Sequence, residues 1–349
     1  MNELMLAEIE DQPGVLRQSV APLREQAAGL RLPDAPRAIY FTGCGDSYIA
    51  ALASRLAWQE QLELIVEPLR PMEAWCYTRF RPGDIVVCTS ISGEVRRTIE
   101  AARVARAGGA EVVAITGKPT STLARVAEGG ALILPVLSRS RSTPHTTDYL
   151  TSLLALAVLL ERVSARPIPL LDRLASLVAG TLASLPTLIE QVAAAVVGAR
   201  TIYLLGAGPS YATAAYGAAK LWEAGGIAAS PHELEDFCHG PHLMLAPRDA
   251  AILVAPSGRS FERAIQLLPG FGELDVTTVV VTDADAGAIA SPVLPVARVP
   301  EEWSPFLTSL PLQLLTLAVA NLRGYDVASK VGRIPHPERY EDVMRTWVR

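Results

Sequence analysis

Ile39-Tyr-Phe-Thr-Gly-Cys-Gly-Asp-Ser-Tyr-Ile-Ala50 and Ile202-Tyr-Leu-Leu-Gly-Ala-Gly-Pro-Ser-Tyr-Ala-Thr-Ala214 share one pattern: an apolar run, two glycines one residue apart, then Ser-Tyr. Gly43 answers to Gly206, Gly45 to Gly208, Ser47 to Ser210 and Tyr48 to Tyr211. Working outward, Asp84-Ile-Val-Val-Cys-Thr-Ser-Ile-Ser-Gly93 answers to Asp249-Ala-Ala-Ile-Leu-Val-Ala-Pro-Ser-Gly258, and Val112-Val-Ala-Ile-Thr116 to Thr278-Val-Val-Val-Thr282. Matches in the same order at nearly constant spacing make an internal repeat, so the chain reads as two copies of one domain.

Within each copy, short apolar runs alternate with helical stretches. Ala38–Phe41, Ile85–Thr89, Val112–Thr116 and Ala131–Leu134 read as buried strands of the first copy. Ile202–Leu205, Ala251–Ala255, Thr278–Val281 and Val293–Val296 are their counterparts. Ser47–Gln59, Glu94–Ala107, Tyr211–Ala224 and Phe261–Leu268 read as helices, with long closing helices near Thr146–Val163 and Pro305–Arg323. This alternation predicts an α/β fold in which each copy is a parallel sheet flanked by helices on both faces. The expected plan is an N-terminal helical segment over 1–30, a first domain over 31–165 and a Leu/Ala-rich helical linker over 166–198. A second domain over 199–325 and a tail over 326–349 follow. Glu3–Ala28 reads as a helix broken near Pro13.

Composition narrows the function. The 349 residues are 50% hydrophobic and 19% charged with net charge −5, a globular balance lacking the Lys/Arg clusters of a nucleic-acid binder. The acidic N-terminus has no apolar core and does not read as a signal peptide. The apolar stretches near Leu150–Leu160 and Leu310–Leu322 fall short of the ~18–20 residues of a membrane span. Cys44, Cys76, Cys88 and Cys238 are scattered, and His239 and His242 are the only close histidines, so no metal site is expected. No cofactor is expected either: Gly206-Ala-Gly-Pro-Ser lacks the third glycine and the acidic ribose partner of a dinucleotide site. A reducing cytoplasm fits this cysteine usage. Lysine occurs only at Lys118, Lys220 and Lys330.

Open parallel sheets bind ligands beyond the carboxyl ends of their strands. Two loops of the first copy belong there: Thr42-Gly-Cys-Gly-Asp-Ser47, where Asp46 or Ser47 can cap the following helix, and Thr89-Ser-Ile-Ser-Gly-Glu94. Ser90 and Ser92 offer hydroxyls, and the helix start offers N–H groups and partial positive charge, which together suit a phosphate without Lys or Arg. Either loop alone also reads as a plain strand-to-helix turn. The second copy keeps Ser257-Gly258 but carries Pro256, and its phosphate site reads as degraded.

The second copy has a different cluster. Lys220-Leu-Trp-Glu223 puts a cation and a carboxylate on one helix face, and His239 precedes Gly-Pro. A carboxylate that moves a proton between adjacent carbons and an imidazole that opens the ring are what acid–base work on a sugar needs. Read alone, the first is a surface ion pair and the second a turn residue.

These motifs resemble the tandem SIS (sugar isomerase) domain proteins, from about Leu6 to Lys330. The chain is similar to the isomerase half of glucosamine-6-phosphate synthase and to sugar-phosphate deaminases and fructosamine-phosphate deglycases. The resemblance rests on GCGDS, SxSGE, Gly217-Ala-Ala-Lys-Leu-Trp-Glu223 and His239-Gly-Pro. It implies two SIS domains, each a flavodoxin-like parallel sheet. It implies substrate contacts at Cys44, Gly45, Ser47, Ser90, Ser92 and Gly93, with Asp46, Ile91 and Val95 standing where the family commonly has Thr, Gln and Thr. Fewer donors remain for a phosphate, for which Arg96 or Arg97 could compensate, although both also read as solvated helix positions. It further implies that Glu223 moves the proton between C1 and C2, with Lys220 beside it in the site. His239 would open the ring across a dimer interface, making a homodimer with a shared active site. Lys330, near the position of the family's Schiff-base lysine, is the best candidate for that role, although the usual Pro-Arg-Asn-Leu stretch is missing. A glutaminase domain is not found before the repeat, so glutamine-driven amidotransfer is not expected.

The function that follows is a phosphosugar isomerase or deaminase acting at C1/C2 of an amino- or keto-sugar phosphate, with glucosamine-6-phosphate deamination and isomerisation the specific expectation. A fructosamine-phosphate deglycase would use the same acid–base set. A non-catalytic sugar-phosphate-binding regulator is the alternative from another class, and it gives no reason for Glu223 and His239 together. The expected partners are a phosphorylated sugar and a second copy of the chain, without nucleic acid or membrane.

Overall fold

The structure is a computed structural model describing residues 2–135, 144–328 and 336–347. Its strands are β1 (Ala38–Gly43), β2 (Ile65–Leu69), β3 (Asp84–Thr89), β4 (Glu111–Thr116), β5 (Gly130–Ile133), β6 (Thr201–Gly206), β7 (Ala228–Glu233), β8 (Ala250–Val254), β9 (Thr277–Thr282) and β10 (Val293–Pro295). The helices are α1 (Glu3–Ala28), α2 (Asp46–Gln61), α3 (Arg96–Ala107), α4 (Thr122–Val126), α5 (Thr146–Ser164), α6 (Leu170–Ser184), α7 (Pro186–Val196), α8 (Pro209–Lys220), α9 (Leu234–Cys238), α10 (Phe261–Gln266), α11 (Leu268–Glu273), α12 (Pro305–Leu322) and α13 (Tyr340–Trp347).

The strands form two five-stranded sheets, ordered β2-β1-β3-β4-β5 and β7-β6-β8-β9-β10, with every pairing parallel. This is the flavodoxin-like order, the same in both copies. Each sheet organises one compact unit. Residues 14–135, 147–173 and 336–347 gather on the first, and residues 2–13 and 174–328 on the second. The central strands β3 and β8 are buried at every position, which is why Ile85–Cys88 and Ala250–Val254 are apolar throughout. In the first unit Phe41 and Trp58 meet edge to face at 4.9 Å, locking α2 onto β1. In the second, α7, α8 and α12 close over one sheet face through Ile189, Ala214, Leu312, Leu315 and Val319. Burying each such aliphatic side chain contributes about 1.5–3 kcal/mol. α12 has the length and apolarity of a membrane span, but 78% of it is buried, as in the core helix of a globular unit.

The repeat extends to the ends of the strands opposite the ligand loops. Arg37 donates to Asp84 at 2.7 Å, and Arg200 donates twice to Asp249, at 3.0 and 2.7 Å. These fully buried carboxylates are thereby neutralised in both copies.

Some elements differ from the sequence expectation. The edge strands β2 and β7 contain Pro68 and Pro231 and are only partly buried. They lack the apolar run that marks a central strand, and an edge tolerates the missing N–H of proline. α1 runs unbroken through Pro13, which removes one ladder bond while the turns on either side keep theirs. The 166–198 segment is two helices, α6 and α7. The start of α2 has Gly45 as N-cap with no side-chain bond, so neither Asp46 nor Ser47 caps it.

Candidate functional site

The order of the first sheet reverses between β1 and β3, and the loops after those strands lie side by side. Gly43 pairs in register with Thr89. A side chain at Gly43 would meet Ser47 Cβ at 2.6 Å and the Thr89 carbonyl oxygen at 2.8 Å, so only glycine lets the loops approach this closely. Gly45 has φ 56° and ψ −128°, and Gly208 in the second copy has φ 55° and ψ −128°. This backbone turn is open essentially to glycine alone and was built twice. Ser47 is buried behind it, while Cys44 is exposed, with its Sγ 3.8 Å from Thr98 Oγ1 in the first turn of α3.

The Ser90–Glu94 loop is held from below. Ser90 N–H donates to the Ile115 carbonyl, and Gly93 N–H donates to both the carbonyl and the hydroxyl oxygen of Ser90. Gly93 has φ 65° and lies against Ser121 and Thr116, which leave no room for a side chain. Glu94 accepts from Thr122 N–H at 2.9 Å, and this bond holds its carboxyl below the usual range. The glutamate of SxSGE is therefore a clamp on α4. Ile91 and Val95 are half-buried apolar positions in the same loop.

The second copy shows what such a loop holds. There Ser257 N–H donates to Asp283 Oδ1 at 2.5 Å and Arg259 N–H to Glu301 Oε2 at 3.1 Å. The chain's own carboxylates occupy the loop's donors. In the first copy Gly117 stands where Asp283 stands in the second, each following the last strand threonine. Among the described residues no carboxylate accepts from Ser92 N–H, the counterpart of Ser257 N–H.

The second unit positions the acid–base cluster. α8 ends at Lys220, and Leu221–Gly225 continues as a π-helical turn, a feature found most often at functional sites. Lys220 Nζ lies 2.5 Å from Glu223 Oε2 and 5.3 Å from the centre of the Tyr216 ring. The lysine side chain is 1% exposed and the glutamate 36%. A surface ion pair is thereby excluded: a buried ammonium presents the carboxylate to solvent. His239 closes α9, is 75% exposed and lies 3.4 Å from Glu235, which is paired with Arg263.

A SIS domain model matches residues 34–162 and again residues 196–323. The chain belongs to the SIS domain family. A glutamine–fructose-6-phosphate aminotransferase (isomerizing) of Zymomonas mobilis is 29% identical over 347 residues, covering 93% of this chain and 56% of that protein. A Bradyrhizobium diazoefficiens protein of the same name is 27% identical with similar coverage. This SIS chain thus spans about half the length of the curated relatives it matches. Among solved structures, the C-terminal domain of a Francisella tularensis glucosamine-fructose-6-phosphate aminotransferase superposes with TM-score 0.82 at 22% identity, over 93% of this chain and 98% of that one. A glucosamine-6-phosphate deaminase of Thermotoga maritima gives 0.76 at 19%, over 95% and 98%. A tagatose-6-phosphate ketose/aldose isomerase of Escherichia coli gives 0.81 at 17%, over 96% and 97%. At these identities the structures show that the fold is shared.

Within this SIS architecture the sequence-derived candidates fall into two groups. Cys44, Gly45, Asp46, Ser47, Ser90, Ile91, Ser92, Gly93 and Val95 gather at the carboxyl edge of the first sheet. Lys220 and Glu223 form one pair on the second unit. No bond joins His239 to that pair, and Lys330 lies outside the described residues. Sequence reasoning missed Tyr216, four residues before Lys220 on one helix face, and Thr116 and Ser121 beneath Gly93. It also missed Tyr48, Arg70 and Trp75 beside the first loop. Only the helical spacing of Tyr216 could have been read beforehand.

Proposed function

We propose that this SIS chain is an enzyme acting at C1/C2 of an amino- or keto-sugar phosphate, and specifically that it deaminates and isomerises glucosamine 6-phosphate. The observation that carries this reading is the Lys220–Glu223 pair. A carboxylate held by a buried cation on a π-turn, yet open to solvent over a third of its surface, suits moving a proton between adjacent carbons. The curated relatives, named for an isomerising reaction on fructose 6-phosphate, support the substrate class.

In this mechanism the sugar's phosphate docks on the Ser90–Glu94 loop, where Ser92 N–H and the α3 start supply donors and partial positive charge. His239, from a second copy in a homodimer, protonates and opens the ring. Its exposure suits a residue that serves a neighbouring subunit. Glu223 removes the C2 proton and returns it at C1, and Lys220 fixes the carboxylate's direction throughout. Lys330 is proposed as the amine that adds to the resulting C2 imine and displaces ammonia, and water then hydrolyses the Lys330 imine to release the keto sugar.

Ammonia release from glucosamine 6-phosphate is the direct test. Release by the wild type, abolished by Glu223→Gln, establishes the reaction and the proton shuttle. Ligand-induced thermal stabilisation without release points to deglycation of a fructosamine phosphate or to another sugar-phosphate isomerisation. Absence of both release and stabilisation overturns the reading.

A further inference from the structure

The first ligand loop is surrounded by positive charge that its motifs do not contain. Arg70 follows β2 and lays its guanidinium over the Tyr48 ring, 4.8 Å from the centroid. Arg97, second residue of α3, lies 4.5 Å from the centre of the Trp75 ring. The two are linked locally. Trp75 sits in the turn that follows Arg70, where Ala74 N–H donates to the Arg70 carbonyl at 2.9 Å. Thr98, next to Arg97, touches Cys44. Arg70 thus lies against Tyr48 at one end of the Gly43–Tyr48 turn, and Arg97 adjoins Thr98, which touches Cys44 at the other end.

Internal comparison separates these two arginines from incidental surface charge. Thr42 pairs with Leu69, and Leu205 with His232, so Arg70 stands one step past the register in the first sheet where Glu233 stands in the second. Glu233 is a helix cap, accepting from Glu235 and Asp236 N–H. The copy whose loop is filled by its own Asp283 and Glu301 therefore carries an acid at this strand end. The copy whose loop has Gly117 instead of Asp283 carries an arginine. Among the described residues no carboxylate pairs with Arg70. Glu100 binds Arg97 but is shared with Arg96, so the group of three keeps a net positive charge.

We propose that Arg70 and Arg97 form a guanidinium clasp beside the Gly43–Tyr48 turn that binds an oxyanion of the sugar substrate. The clasp replaces with charge the neutral donors that Ile91 and Val95 do not offer. The contacts with the Tyr48 and Trp75 rings hold each fork in place before the ligand arrives. The inference rests on the proposed sugar-phosphate site. The oxyanion is either the sugar's own phosphate or a carboxylate carried on its amine.

The test is calorimetric titration of the full chain with inorganic phosphate, glucose 6-phosphate and fructosyl-glycine, at low and high salt, for Arg70→Gln, Arg97→Gln and Arg70→Lys. Arg96→Gln is the control. Arg70→Gln and Arg97→Gln are expected to weaken the bound oxyanion on the order of tenfold each and to flatten its salt dependence. Arg70→Lys falls between, and Arg96→Gln matches the wild type. Losses confined to glucose 6-phosphate and phosphate identify the phosphate as the group held, and losses confined to fructosyl-glycine identify the carboxylate. If the wild type binds and both glutamine variants bind within twofold of it, the clasp is wrong while the proposed function stands. If the wild type binds none of the ligands, both fail.

Discussion

Lys220 and Glu223, 2.5 Å apart across the start of a π-turn, divide burial unequally: 1% of the lysine side chain is exposed and 36% of the glutamate's. The ammonium is shut off from water, whereas the carboxylate can meet a ligand. Truncation should therefore separate stability from chemistry. Glu223→Ala removes the carboxylate that lies 2.5 Å from a buried ammonium and should cost about 3 kcal/mol. Glu223→Gln keeps an acceptor oxygen and should cost about 1 kcal/mol. Urea unfolding compares the two, and both should be inactive.

The loop glycines should differ among themselves. Gly43→Ala forces Cβ against Ser47 and the Thr89 carbonyl and should cost about 2–3 kcal/mol. Gly45→Ala meets no atom within 4 Å and pays only for its positive φ, about 1–2 kcal/mol. Gly93→Ala suffers both penalties, against Ser121 and Thr116, and should also abolish phosphate binding. Thermal unfolding and phosphate titration of the three variants check this order.

Glu94 should show in stability rather than turnover. Its bond from Thr122 N–H lowers its folded pKa below the ordinary 4.5. The unfolded chain then binds more protons between the two values. The stabilisation is full above pH 4.5 and is lost as pH falls through the lower folded value. Unfolding measured from pH 3 to 7 should fall less steeply at the acid end for Glu94→Gln, which should retain activity where Glu223→Gln does not.

The proposed sharing of the active site between two subunits makes a quantitative prediction for mixtures. Glu223→Gln and His239→Ala should each be inactive as pure proteins. Co-refolded one to one, half of the dimers are mixed, and each mixed dimer holds one intact site, so about a quarter of wild-type activity should return. No recovery would place His239 and Glu223 in the same subunit's site.

The central strands were legible because burial on both faces demands apolar runs, as in Ile85–Thr89 and Ala251–Ala255. The edge strands Ile65–Leu69 and Ala228–Glu233 were not, since half-exposed strands with Pro68 or Pro231 carry no such signature. The loops GCGDS and SxSGE were legible because close backbone approach and helix starts require Gly and Ser at fixed places.

By itself, the sequence determined the repeat, the parallel α/β plan and the glycine and serine positions of the two loops, because each depends on residue type at short, fixed spacing. Only the tertiary structure decided that Lys220 is buried and that Asp283 and Glu301 fill the second copy's loop. It alone put Arg70 over Tyr48 and Arg97 over Trp75. Burial and charge pairing are set by residues distant in the chain, and local pattern carries no information about them.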